Sequence, residues 1–173
     1  MLLLQHPAEV NHAKGSARLL QLSLSDCSCR MGEWFDPQEL LGDAIAHTAL
    51  LYPAAAPTAD RAPPTLGETA VRRLVVLDGT WRQSRSLLRL NPWLVKLPRF
   101  TLAQPPPSLY LIRKPQAPDQ RSTLEATCMA LSELEARPER YAPLLQAFEG
   151  WIGEAQRHQT LRASARPPRV GFN

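Results

Sequence analysis

The chain has 173 residues, of which 44% are hydrophobic and 17 are proline, with a formal net charge of +4 at pH 7, enough for one well-buried core but not comfortably for two. No apolar run reaches the roughly 18 residues of a membrane span, and the opening MLLLQHP turns polar too soon for a signal peptide. A single domain over residues 1–173, cytoplasmic and without a membrane partner, is therefore expected, while the sequence leaves the oligomeric state open, with a monomer favoured.

Charge is informative by segment. Counting Lys and Arg against Asp and Glu gives −4 over residues 1–71, +8 over 72–121, −4 over 122–156 and +4 over 157–173. Of the 20 basic residues 17 are arginine, whose planar fork pairs with phosphate and stacks on bases. A polyanion such as a nucleic acid is one reading, and arginine enrichment from a GC-rich genome is the other. Charge alone leaves both open. Cys27 and Cys29 lie close together and Cys128 is distant, without the paired spacing of a zinc ribbon, so reduced thiols are expected.

Leu2–Gln5 reads as a strand, followed by a turn-rich stretch and an amphipathic segment with Ala17, Leu20 and Leu24 apolar. Pro37–His47 reads as a helix with proline in its first turn, capped by Asp36. Ala49–Tyr52 is a second buried strand ended by Pro53, and the proline- and alanine-rich residues 53–68 form a loop. Leu74–Leu77 is a third strand, whose uninterrupted apolar run implies cover on both faces, as in a parallel sheet. Thr80–Leu90 is helical, with Leu87, Leu88 and Leu90 toward the core and Arg82, Arg85 and Arg89 near one face. Further strands are expected at Phe100–Leu102 and Leu109–Ile112, then helices over Ser122–Ala136 and Tyr141–Gln159, and a basic tail over 160–173. This alternation argues an α/β fold with a mostly parallel sheet flanked by helices.

The chemistry concentrates in LVVLDGTW, residues 74–81, a strand that stops at an acid and a glycine before a helix. Ligands of open α/β sheets bind beyond the carboxyl ends of the strands. Gly79 permits close backbone approach, Thr80 can cap the helix, and Asp78 would lie beside its positive N-terminus. A purely structural corner, with Trp81 as a core anchor, explains the same residues. QHPAEVNHAKGSARLL, residues 5–20, adds His6, Glu9 and Lys14 after the first strand, and SLYLIRKPQ, residues 108–116, ends a strand in Arg113 and Lys114. STLEA, residues 122–126, fits a capping box with Ser122 at the cap and Glu125 reaching back.

The ordered series LLQHPAE, KGSARLL, CSCRMGEWF, LLYP, LDGTWRQSRSLLRLNPWL, LYLIRKPQ and STLEA resembles the DTW-domain family, named for Asp-x-Thr-Trp, here Asp78, Thr80 and Trp81. The resemblance covers nearly all of residues 2–130. It implies a SPOUT-like fold with a C-terminal trefoil knot, and activity as a tRNA-uridine aminocarboxypropyltransferase. S-adenosylmethionine would donate its 3-amino-3-carboxypropyl group to N3 of a tRNA uridine, leaving methylthioadenosine. On that reading Asp78, and after it Glu125, are the candidates to accept or orient the uridine proton. Leu77, Gly79, Thr80, Trp81, Ile112 and Thr123 would contact the cofactor, and His6, Lys14, Arg82, Arg85, Arg113 and Lys114 would meet the tRNA. Family members commonly carry an N-terminal cysteine cluster resembling a zinc site. This chain begins directly at the first strand, so no metal is expected. A SPOUT-like RNA methyltransferase and a non-catalytic RNA-binding module are the alternatives.

Overall fold

A computed structural model describes residues 1–10, 16–53, 71–102 and 122–164. Strands β1 (Leu2–Gln5), β2 (Ser28–Met31), β3 (Thr48–Leu51), β4 (Arg73–Asp78) and β5 (Arg99–Phe100) form one sheet in the order β2-β1-β4-β3-β5. Every pairing is parallel. The central strand is β4, the apolar run whose lack of polar alternation called for cover on both faces. Its register sets Val76 beside Leu3 and Asp78 beside Gln5.

Among the described residues six helices supply the cover: α1 (Ser16–Ser23), α2 (Pro37–Leu41), α3 (Trp81–Leu90), α4 (Pro92–Lys96), α5 (Thr123–Glu135) and α6 (Ala142–Ser164). Because side chains alternate along a strand, Leu2, Leu4, Leu50, Val75 and Leu77 meet Leu41, Leu87 and Leu94 of α2, α3 and α4 on one face. On the other, Leu3, Ala49, Leu74 and Val76 meet Ala17 of α1 and Ala130 of α5. A third cluster, including Leu20, Leu124, Cys128, Phe148 and Ile152, packs α6 against α1 and α5. Asp78 follows Val76 in the period of two, so its side chain emerges on the α1/α5 face at the carboxyl edge.

Several boundaries differ from the sequence reading for identifiable reasons. Asp36 does cap α2, accepting from the Gln38 and Glu39 N–H groups, but α2 stops at Leu41. Gly42 has φ +47°, and the chain continues as a 3₁₀ turn over Gly42–His47. Strand β2 was not anticipated, because an edge strand with mostly exposed side chains carries no apolar run. Leu90 does not face the core: it is 37% exposed where α3 ends, whereas Leu87 is buried and Leu88 packs against the core. Strand β3 begins one residue early, at Thr48, β5 is Arg99–Phe100, and the short α4 follows Asn91. Residues 160–164, read as the start of a basic tail, belong to α6. The expected strand 109–112, residues 54–68 of the loop and residues 165–173 of the tail lie outside the described residues, as does the segment 103–121. Among the described residues no helix is long and apolar enough to cross a membrane.

Candidate active site at the carboxyl edge of the sheet

The corner after β4 is built by local hydrogen bonding. Thr80 caps α3: its Oγ1 accepts from the Gln83 N–H at 3.3 Å, and its own N–H donates to Gln83 Oε1. A Cβ on Gly79 would stand 3.1 Å from both Cβ and Oε1 of Gln83, so glycine lets the turn pass over the capping glutamine. Thr80, then, supplies the side-chain cap of α3. The Asp78 side chain, only 5% exposed, is directed elsewhere: its Oδ2 accepts from Gln5 Nε2 at 2.9 Å. The parallel register places these two side chains on the same face of adjacent strands.

His6 follows directly on β1. Its N–H donates to the Asp78 carbonyl at 3.0 Å, and its Nδ1 accepts from the Ala8 N–H at 3.2 Å. An accepting Nδ1 puts the ring proton on Nε2, which lies 3.1 Å from Glu33 Oε1. The loop carrying Glu33 is fixed from behind. Gly32 N–H donates to the Gln5 carbonyl at 3.1 Å. Asn91, fully buried after α3, donates from Nδ2 to the carbonyls of Glu33 at 2.8 Å and Leu87 at 2.9 Å, and its Oδ1 accepts from the Phe35 N–H at 2.8 Å. Trp93 Nε1 donates to the Phe35 carbonyl at 3.1 Å. Gln5, Glu33 and Asn91 were not among the sequence candidates. The one local signal was the position of Gln5 and Glu33 inside the QHP and GEWF stretches.

Helix α5 brings the second carboxylate. Its distal residues Leu131 and Leu134 line one cavity with Met1, Arg73 and Leu74 at the amino edge of the sheet. The helix therefore runs against the strands and turns its N-terminus toward the carboxyl edge, on the face from which Asp78 emerges. Ser122 caps it, with Oγ accepting from the Glu125 N–H at 3.1 Å, while Glu125 Oε2 accepts from the Ser122 N–H and Oγ–H, each at 2.9 Å. Glu125, 5% exposed, is thereby committed to the capping box. Thr123 opens the helix, its carbonyl accepting from Thr127 Oγ1.

Burial pushes the Cys29 thiol up to about 11, with the Asp78 charge adding to the shift, and pushes Cys128 up to about 12, with Glu125 adding. Both thiols stay protonated at neutral pH, which removes them as nucleophiles. Among the described residues no three His, Cys, Asp or Glu side chains converge as a metal site requires.

The remaining candidates are distributed unevenly. Trp81, at the first position of α3, is half-buried and packs edge-on against Tyr52, with ring centroids 5.6 Å apart at 74°. It joins neither of the core clusters that flank the sheet. Leu77 points its side chain into the α3/α4 core, leaving its backbone at the edge. Arg82 and Arg85 are exposed on α3. Lys14, Ile112, Arg113 and Lys114 lie outside the described residues.

A buried acid, a tight glycine turn, a capping threonine and an indole stand at the carboxyl edge of a parallel sheet in an α/β protein, the edge where open α/β folds place their ligands. The DTW domain matches residues 1–155, and the chain belongs to the DTW-domain family. It is 33% identical over 150 residues to tRNA-uridine aminocarboxypropyltransferase 2 of Drosophila melanogaster, covering 80% of this chain and 57% of that protein. It is 29% identical over 141 residues to tRNA-uridine aminocarboxypropyltransferase 2 of Macaca fascicularis, covering 77% of this chain and 47% of that protein. The chain thus spans about half the length of these curated relatives. No solved structure matches it.

Proposed function

We propose that the chain transfers the 3-amino-3-carboxypropyl group of S-adenosylmethionine to N3 of a tRNA uridine and releases methylthioadenosine. The observation that carries this reading is the buried Asp78 carboxylate, oriented by Gln5 at the corner that gives the family its name. The names of the two relatives support aminocarboxypropyl transfer to a tRNA uridine.

The side chains at the edge suit a cationic sulfonium ligand. Carboxylates of Asp78, Glu33 and Glu125 belong to the elements that converge there, and Trp81 offers an aromatic flank. When bound, S-adenosylmethionine supplies an electrophilic carbon. A bond forms between N3 of the uridine and the methionine Cγ, the Cγ–S bond breaks, and its electron pair stays on sulfur as a neutral thioether. The N3 proton leaves to a carboxylate, and Asp78 is assigned that role ahead of Glu125, which holds a helix cap. Gln5 keeps the Asp78 carboxylate in one orientation, and positioning of this kind is itself a large part of such a rate enhancement.

Leu77, Gly79 and Thr80 would contact the cofactor through their backbone, together with Trp81, Thr123 and Ile112. His6, Lys14, Arg82, Arg85, Arg113 and Lys114 would meet the tRNA. The all-parallel sheet, with β4 placed between β1 and β3, supports a SPOUT-like fold. A C-terminal trefoil knot is part of the same proposal. Incubation of the full chain with S-adenosylmethionine and tRNA should release methylthioadenosine. Release of S-adenosylhomocysteine would identify a methyltransferase instead, and no turnover with intact tRNA binding would identify a binding module.

A further inference from the structure

Arg99, at the start of β5, holds its guanidinium carbon 4.8 Å from the centroid of the Tyr52 ring. Tyr52 is itself fixed: its N–H donates to the Phe100 carbonyl at 3.2 Å, and its carbonyl accepts from Thr101 Oγ1 at 3.3 Å. On another side the ring meets Trp81, the indole of the Asp78 corner. Arg99 is thus a half-buried cation over an aromatic ring whose backbone is anchored beside the candidate site.

Among the described residues, one nitrogen of this cation has no acceptor: Nη1 is buried with no hydrogen-bond partner. Among the described residues the close contacts between basic and acidic side chains are His6–Glu33 and Arg140–Glu135, and neither reaches it. Burial lowers the Arg99 pKa, opposed only by the Tyr52 hydroxyl, so no carboxylate offsets the loss of water. Arg85 lies within electrostatic reach of the same tyrosine and adds a second positive charge rather than a counterion. A guanidinium nitrogen buried without an acceptor is costly unless a ligand supplies one. The planar guanidinium fork matches the two oxygens of a carboxylate or phosphate.

We infer that Arg99, stacked on Tyr52 next to Trp81, is the oxyanion-binding residue of this site. The inference rests on the proposed function, which supplies two sources of that chemistry: a phosphodiester of the tRNA and the carboxylate of the aminocarboxypropyl donor.

The test compares the full-length chain with Arg99→Gln, which removes the charge, and Arg99→Lys, which keeps the charge and loses the fork. Thermal unfolding first establishes that the variants fold. Affinity for tRNA is then measured across a salt series, and affinity for S-adenosylmethionine is set against its decarboxylated analogue. If a phosphodiester is the ligand, Arg99→Gln lowers the salt slope for tRNA by about 0.7–0.9, the release expected for one phosphate, and leaves the donor's affinity unchanged. If the donor carboxylate is the ligand, the wild-type chain prefers S-adenosylmethionine to the decarboxylated analogue, and Arg99→Gln abolishes that preference with the tRNA slope intact. In either case Arg99→Lys falls between wild type and Arg99→Gln. Wild-type affinities and slope for both ligands in a folded Arg99→Gln would overturn the inference alone and leave Arg99 a structural partner of Tyr52. A wild-type chain that binds neither ligand would overturn the proposed function and the inference with it.

Discussion

Replacing Asp78 with asparagine separates a structural corner from a catalytic one. The cap of α3 belongs to Thr80, so it survives the change. Asparagine keeps the shape and can still accept from Gln5 Nε2 through its amide oxygen, so the hydrogen bond loses only its charge assistance. That difference is on the order of 1 kcal/mol. Removing a negative charge near the N-terminus of α3 adds about 0.3–1 kcal/mol. Together these two contributions come to about 1–2 kcal/mol, a fall of several degrees in melting temperature for a domain of this size, and thermal unfolding establishes that the variant is folded. If the carboxylate accepts the uridine proton, the same substitution lowers kcat by a factor of about 10²–10⁴. The assay is the initial rate of methylthioadenosine release with both substrates saturating, so that affinity does not enter. A folded Asp78→Asn variant with near-normal turnover would refute the assignment, leaving Glu125 or a reaction driven by orientation alone.

Asn91→Ala removes three hydrogen bonds and strands the Phe35 N–H away from water. A loss of about 3–4 kcal/mol in urea unfolding is expected, and a loss below about 1 kcal/mol would show that the loop carrying Glu33 is held by other means. Combined Arg82→Ala and Arg85→Ala should lower the salt slope of tRNA binding by about 1.4–1.8 while preserving the rise in melting temperature caused by S-adenosylmethionine. An unchanged slope would remove the exposed face of α3 from the RNA surface. Burial raises the Cys128 pKa from 9.0 to about 12, so its contribution to stability is complete below pH 9 and is lost as pH rises through 12. Cys128→Ala should therefore lose stability less steeply over that window, and equal slopes for the two proteins would count against the buried, protonated thiol.

Local signals and long-range ones fared differently. The apolar run of β4 and the capping boxes begun by Thr80 and Ser122 are complete within a few residues, and the sequence displayed them. The α/β class followed from the alternation of such segments. The support of the site is non-local. Gln5 reaches Asp78 across 73 positions, and Asn91 reaches Phe35 across 56. Nothing around Asn91 in the sequence indicates that its amide will be fully buried against another loop. Strand β2 was hidden for a related reason, since edge pairing alone, without an apolar pattern, makes it a strand. Trp81 could be read as a core anchor or a ligand contact, and its edge-on packing against Tyr52, which itself borders the α3/α4 face, is compatible with both.

The central claim is transfer of an aminocarboxypropyl group to a tRNA uridine. Mass spectrometry of nucleosides from tRNA incubated with the full chain and S-adenosylmethionine tests it most directly. A uridine heavier by one 3-amino-3-carboxypropyl group, formed with wild type and nearly absent with Asp78→Asn, is the expected result. A methylated nucleoside, or unmodified tRNA recovered from a folded protein that binds both substrates, would contradict it.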